Sequence, residues 1–223
     1  MALDKKELAH FLIAEGVLLF GEFTLKSGRQ SPHFFNSGRF DSGRALNCLG
    51  KYYAQKIKEL GSTDIIFGPA YKGIPLAVTV ANAYDRLFDT ETGVLFDRKE
   101  VKDHGDGGLF VGRTPEATSQ LILVDDVISS GISLQDSIQL IKKSFNITPA
   151  FSLVAVDRQE KGRKSDLSAA REVEQEEGVP LHSLIKLDEV VALMEGEEVN
   201  GKVVIDANQK QKVLNYLENY GGN

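Results

Sequence analysis

Apolar residues recur at Leu8, Phe11 and Leu12, with Ile13 beside them, and this spacing predicts an amphipathic helix over residues 3–15. The rhythm breaks between Gly21 and Phe40. Gly21, Gly28 and Gly38, a Ser31-Pro32 turn signal and short aromatic runs there predict short strands and turns. A second helix is expected over 42–60, with Asp41 or Ser42 as its N-cap. Strand and helix then alternate. Strands are expected at 63–67, 93–96, 121–124, 150–156 and 179–185. Helices are expected at 74–87, from the polar loop after Val124 to about Phe145, at 165–177, and from Asn208 onward. Uninterrupted apolar strands separated by helices predict an α/β fold with a central, mostly parallel sheet covered on both faces. In such sheets ligands bind at the carboxyl ends of the strands, which directs attention to the loops after Phe67, Phe96, Val124 and Val156.

Composition narrows what those loops bind. The chain has 223 residues, 42% of them hydrophobic, enough for one domain with a full core, and no linker divides it. Its net charge of −6 makes it a poor generic partner for nucleic acid or an anionic membrane, so any anionic ligand must be held by a local group of cations. The single cysteine, Cys48, excludes an internal disulfide and reads as a small apolar helix residue. The N-terminal stretch is too polar for a signal peptide and no apolar run reaches the length of a membrane span, so the cytoplasm is the expected location.

The most informative segment is Leu121-Ile-Leu-Val-Asp125-Asp126-Val127-Ile128-Ser129-Ser130-Gly131-Ile132-Ser133. A buried strand delivers two adjacent acids, and a serine- and glycine-containing loop opens the next helix. Backbone N–H groups at a helix start, reinforced by hydroxyls, cradle an anion, and glycine permits close approach. The loop lacks the lysine of a Walker A motif and there is no G-x-G-x-x-G, so a nucleoside-triphosphate or dinucleotide signature is excluded. Two carboxylates beside a phosphate cradle would repel the ligand unless a ribose lies between, donating its hydroxyls, or a divalent metal is nearby. An isolated Asp-Asp pair more often caps a helix; in this setting the functional reading is favoured.

Residues 121–133 resemble the phosphoribosyl pyrophosphate motif of type I phosphoribosyltransferases. In that family the acids contact the ribose hydroxyls and the loop binds the 5′-phosphate. The family loop often reads Thr-x-Gly-Thr; here Ser129 keeps a hydroxyl, whereas Ile132 offers only its backbone N–H and Ser130 or Ser133 supplies the second hydroxyl. Further blocks are similar to the orotate phosphoribosyltransferases within that family: Phe20 to Arg29 with Lys26, Ser31 to Asn36, Phe67 to Pro75 with Tyr71 and Lys72, Arg98 to Gly105, and Asp157-Arg158-Gln-Glu. They follow the family's order and spacing from about residue 17 to about residue 163.

The resemblance implies a small N-terminal hood, residues 1–40, over the base site of a single domain. It implies phosphoribosyl pyrophosphate contacts by Lys26, Tyr71, Lys72, Arg98, Lys99, Lys102, His104 and residues 125–133, with Lys102, Asp125 and Asp126 central to the chemistry. For orotate, a flat ring with a carboxylate, it implies Lys26, Phe34, Phe35, Ser129 and Arg158; Lys and Arg suit the carboxylate and phenylalanine rings suit the base. The bland readings are a solvated Lys26, core phenylalanines and a surface Asp157–Arg158 pair. Mg²⁺ is implied as cofactor, held mainly by substrate and water and not by direct protein ligands. The peptide before Tyr71 is cis in the family pattern. Arg98, Lys99, Lys102 and His104 precede three glycines in four positions, as expected of a closing flap over 98–108. In the family this flap reaches a neighbouring active site, which implies a homodimer. A plain solvated loop is the alternative. Arg29 is assigned no ligand, and His10, His33 and His182 are read as structural or surface residues. A purine-salvage transferase fits the Lys26, Phe34, Phe35 and Arg158 set less well. A nucleic-acid-binding regulator would carry a basic face, and a bifunctional enzyme would need a second domain. The tail after Leu187 is expected to pack on the sheet or to assist a subunit contact.

Overall fold

The structure, a computed structural model, describes residues 3–25, 27–102 and 108–223, without the side chains of Val101 and Lys102. Helix α1 (Lys5–Ala14) is capped by the Asp4 carboxylate, which accepts from the Lys6 and Glu7 N–H groups. Strands β1 (Leu18–Thr24) and β2 (Gln30–Phe35) form a separate antiparallel hairpin with a bulge between Phe20 and Phe23. Helix α2 (Gly43–Leu60), capped by Ser42, leads to β3 (Ile65–Phe67), α3 (Gly73–Phe88), β4 (Gly93–Lys102) and β5 (Gly108–Gly112). There follow β6 (Leu121–Ile128), α4 (Ile132–Phe145), β7 (Phe151–Asp157), α5 (Ala169–Glu177) and β8 (Leu181–Lys186). The chain ends with α6 (Leu187–Met194), the small hairpin β9 (Glu198–Val199) and β10 (Lys202–Val203), and α7 (Ala207–Tyr220).

The main sheet has six strands in the order β5-β4-β3-β6-β7-β8, parallel except for β5. Helices α2 and α3 pack together over one face, joined there by α1 and α6. Helices α4 and α5 cover the other. β7 is buried at every position, as a central parallel strand must be. The hairpin β1–β2 leans on α7, where Gln209 Nε2 donates to the Pro32 carbonyl at 2.7 Å. Among the described residues no helix is long and apolar enough to cross a membrane.

The expected α/β architecture is present, with four corrections. β4 does not stop at Phe96 but runs to Lys102 and pairs with β5, so Arg98 and Lys99 stand on one arm of a hairpin and not in a plain loop. β6 does not stop at Val124: backbone pairing with β7 continues through Asp125 to Ile128, because the acids' backbones stay in register even where their side chains leave the core. α5 begins at Ala169 and not at Ser165, since Ser168 is its N-cap and accepts from the Arg171 N–H. The tail after Leu187 contains α6 and β9–β10, which the sequence reading did not predict.

Candidate active site

The carboxyl ends of β3, β4, β6 and β7 lie along one edge of the sheet. β6 carries Asp125 and Asp126 there. The Asp126 N–H donates to Asp125 Oδ1 at 2.9 Å, and the buried Tyr53 hydroxyl donates to the Asp125 carbonyl at 2.7 Å. Burial, with Asp126 alongside, pushes the Asp125 carboxyl up to about 7; the Asp126 N–H and the charge of Lys72 oppose the shift. Burial and the same two acids also push the Tyr53 phenol well up, so it remains a donor.

Asp126 Oδ2 is buried without a hydrogen bond from the described residues; Lys72 Nζ stands 3.5 Å from it, an ion pair without hydrogen-bond geometry. Lys72 Nζ instead donates to Ser37 Oγ at 2.7 Å. Ser37, Lys72 and Asp126 together line a cavity of about 250 Å³, with Phe40, Leu46 and Leu49 among its apolar lining.

Beyond Ile128 the chain turns through exposed Ser129 and Ser130 to Gly131, whose φ of +79° starts α4. A Cβ at Gly131 would lie 2.7 Å from Val173 Cγ2, so glycine is required both by the backbone and by the packing of α5. Ser130, Ile132, Ser133 and Lys99 line a second depression of about 380 Å³. Ser129 and Ile132 are both exposed at the helix start, as an anion cradle requires.

Between β3 and α3 the loop is tight: a Cβ on Gly68 would fall 2.0 Å from the Gly73 carbonyl oxygen. The Ala70–Tyr71 peptide is cis, and the Tyr71 side chain is exposed. Asp97, midway along β4, accepts from the Ala70 N–H at 2.7 Å and so ties this loop to the hairpin arm bearing Arg98 and Lys99. Arg98 Nη1 donates across that hairpin to the Gly108 carbonyl at 3.2 Å.

After β7, Asp157 is buried, its carboxyl raised by burial, and it accepts from the Gln159 N–H at 2.8 Å. It does not form the surface pair with Arg158 that was the bland reading, because its carboxylate turns back into the loop. Arg158 is largely buried and donates from Nη2 to Glu160 Oε1. Phe34 and Phe35 do not form one wall: adjacent strand residues point to opposite faces. Phe34 is exposed and stacks on Phe23 at 5.6 Å, whereas Phe35 packs against the core. Arg29 has the structural role left to it, donating to the Tyr216 hydroxyl. His33 is fully buried, and burial together with the charge of Arg158 lowers its imidazole to about 3.

The structure therefore brings Lys72, Asp125, Asp126 and the 129–133 loop to one edge, with Arg98 and Lys99 on the neighbouring hairpin. Lys26 and residues 103–107, His104 among them, lie outside the described residues, as does the side chain of Lys102. Sequence reasoning missed Ser37, Tyr53, Asp97, Glu160 and Tyr216. Glu160 stood inside the quoted Asp157-Arg158 block, but Tyr216 occupies a helix position that pattern alone reads as core.

A family model described as "Phosphoribosyl transferase domain" matches residues 41–183. The orotate phosphoribosyltransferase of Clostridium acetobutylicum is 39% identical over 219 residues, covering 97% of both chains. That of Actinobacillus pleuropneumoniae is 45% identical over 195 residues, covering 87% of this chain and 90% of its own. A crystal structure of orotate phosphoribosyltransferase from Francisella tularensis superposes with a TM-score of 0.82 at 34% identity, covering 97% of this chain and 100% of that one. On these matches, the chain belongs to the orotate phosphoribosyltransferase family.

Proposed function

We propose that this protein transfers the ribose 5-phosphate group of phosphoribosyl pyrophosphate to orotate, giving orotidine 5′-monophosphate and pyrophosphate in pyrimidine biosynthesis. The observation that carries the reading is the pair Asp125–Asp126 on a central strand, one residue pair ahead of a hydroxyl-rich helix start. The 129–133 loop holds the 5′-phosphate through backbone N–H groups and the hydroxyls of Ser129, Ser130 and Ser133, with Val127 and Ile128 fixing its approach. Asp125 and Asp126 accept from the ribose hydroxyls and steady the positive character that develops on the ribose as the glycosidic bond breaks. Tyr71 and Lys72 face the pyrophosphate, and Arg98, Lys99, Lys102 and His104 join them from the flap. Orotate brings its own nucleophilic nitrogen, so no covalent enzyme intermediate is needed.

Arg158 and Lys26 take the orotate carboxylate, and Ser129 lies beside the base. Of the two phenylalanines, Phe34 is the one free to cover the ring, since Phe35 is engaged with the core. The N-terminal 40 residues act as a hood over this base site within a single domain. The residues also fit Mg²⁺: a buried carboxylate oxygen of Asp126 lacks a hydrogen bond, beside a second acid. Asp125 and Asp126 would face the ion through the ribose hydroxyls and water. When bound, it shields the charge of the pyrophosphate. We assign the protein to the cytoplasm as a homodimer whose 98–108 flap completes the neighbouring site.

The test is loss of orotate absorbance with phosphoribosyl pyrophosphate and magnesium, with purine bases run in parallel. Magnesium-dependent loss of orotate with stoichiometric pyrophosphate release is expected. Turnover of a purine and none of orotate would overturn the assignment of the base.

A further inference from the structure

Arg158 does not stand alone on its loop. Glu160 Oε1 accepts both from Arg158 Nη2 and from the Tyr216 hydroxyl, the latter at 3.0 Å. Glu160 Oε2 is 3.5 Å from Arg29 Nη1, and that same nitrogen donates to the Tyr216 hydroxyl at 3.1 Å. The Arg29 guanidinium also lies over the Tyr220 ring at 4.6 Å. Three parts of the chain distant in sequence thus meet on one carboxylate: the turn before β2, the loop after β7 and the C-terminal helix. Glu160 is only 10% exposed, so the water that loosens surface pairs is largely excluded. Backbone bonds fasten the junction, Lys161 N–H to the Tyr220 carbonyl and Gly222 N–H to the Gln159 carbonyl, both at 2.9 Å.

Charge explains what the arrangement does. Two guanidinium groups share a single carboxylate, so the cluster keeps one positive charge in excess. Arg158 Nε is buried and has no acceptor among the described residues, while Nη2 is committed to Glu160. A guanidinium held in one plane with a donor left over is prepared for a second planar anion. Resting on the function proposed above, in which Arg158 takes the orotate carboxylate, we propose that Glu160 and Tyr216 are positioning residues for orotate. They fix the Arg158 fork, and through them α7 sets affinity for the base without touching it. Without Glu160, Arg29 and Arg158 repel each other and the fork loses its plane. Among the described residues Glu160 and Tyr216 contact Arg29, Arg158, His33 and Tyr220 and not Asp125, Asp126 or the 129–133 loop, so the effect should be confined to one substrate.

The test is a double-mutant cycle on the full chain, with KM measured separately for each substrate. Arg158→Ala should raise KM for orotate and leave that for phosphoribosyl pyrophosphate within about twofold. Glu160→Gln should raise KM for orotate about tenfold, and Tyr216→Phe about threefold. In the Arg158→Ala background neither should have any further effect on orotate. If Glu160→Gln does not fold, Tyr216→Phe, which keeps the ring, carries the same cycle. An equal rise in KM for both substrates on Arg158→Ala would overturn the assignment of Arg158 to the base. A selective rise on Arg158→Ala with none on Glu160→Gln or Tyr216→Phe would overturn the positioning role alone. So would an undiminished effect of Glu160→Gln or Tyr216→Phe once Arg158 is gone.

Discussion

At the scale of single residues, the acid pair has a consequence in the ligand-free protein. The Asp125 carboxyl titrates near 7 in the fold, above its value in an open chain. A carboxyl raised in this way holds its proton more tightly when folded. Its contribution is fully present below about pH 4 and is lost as pH rises through about 7. Asp125→Asn cannot ionise and still accepts the Asp126 N–H. The ligand-free variant should therefore be more stable than the parent at pH 8, by about 1–3 kcal/mol, and should gain little at pH 5. Denaturation at the two pH values checks this; an equal gain at both would show that ionisation is not the cause. In the proposed reaction Lys102 acts on the leaving group, so Lys102→Ala should lower kcat about 100-fold while changing KM far less. An unchanged kcat would remove it from the chemistry. The acids were legible in the sequence because their residue type and their place after an apolar strand coincide. Glu160 was not, since its role depends on Tyr216, 56 residues away.

At the scale of elements, the 129–133 loop depends on how α4 and α5 fit. Val173 is almost fully buried, and a methyl group on Gly131 would press on it in a backbone region that alanine rarely adopts. Gly131→Ala should cost about 1–3 kcal/mol and raise KM for phosphoribosyl pyrophosphate, measured by denaturation and by kinetics. Unaltered stability would mean that α5 yields without cost. Elements bounded by clear punctuation were readable in advance: α2 after Ser42, and β3 before Gly68-Pro69. α6 follows β8 with no residue between them, so no turn signal marks its start, although Leu187, Val190, Val191 and Met194 make a buried stripe. The β4–β5 hairpin was hidden for another reason. β4 turns charged after Phe96 and β5 is five residues bounded by glycines, so Val94, Leu95 and Phe110 reach the core and edge pairing carries the rest.

At the scale of the whole molecule, the proposed dimer makes two sites from two chains. Mixing the impaired Lys102→Ala and Asp126→Asn subunits should restore up to about a quarter of parental activity, because half the dimers are mixed and each has one intact site. No recovery would place the flap over its own subunit. The fold class was readable from strand and helix alternation, but the strand order was not. β3 is flanked by β4 on one side and by β6 on the other, and the partner β6 begins only at Leu121. That arrangement governs how the chain acquires its ability to bind. The 129–133 loop and the acids hang from a strand whose seat between β3 and β7 can close only after the intervening α3, β4 and β5 have been traversed. Non-local pairing of this kind forms slowly. During refolding, helices gathered early from local contacts should leave the protein blind to phosphoribosyl pyrophosphate, and recognition should return together with the central pairing of β3 and β6.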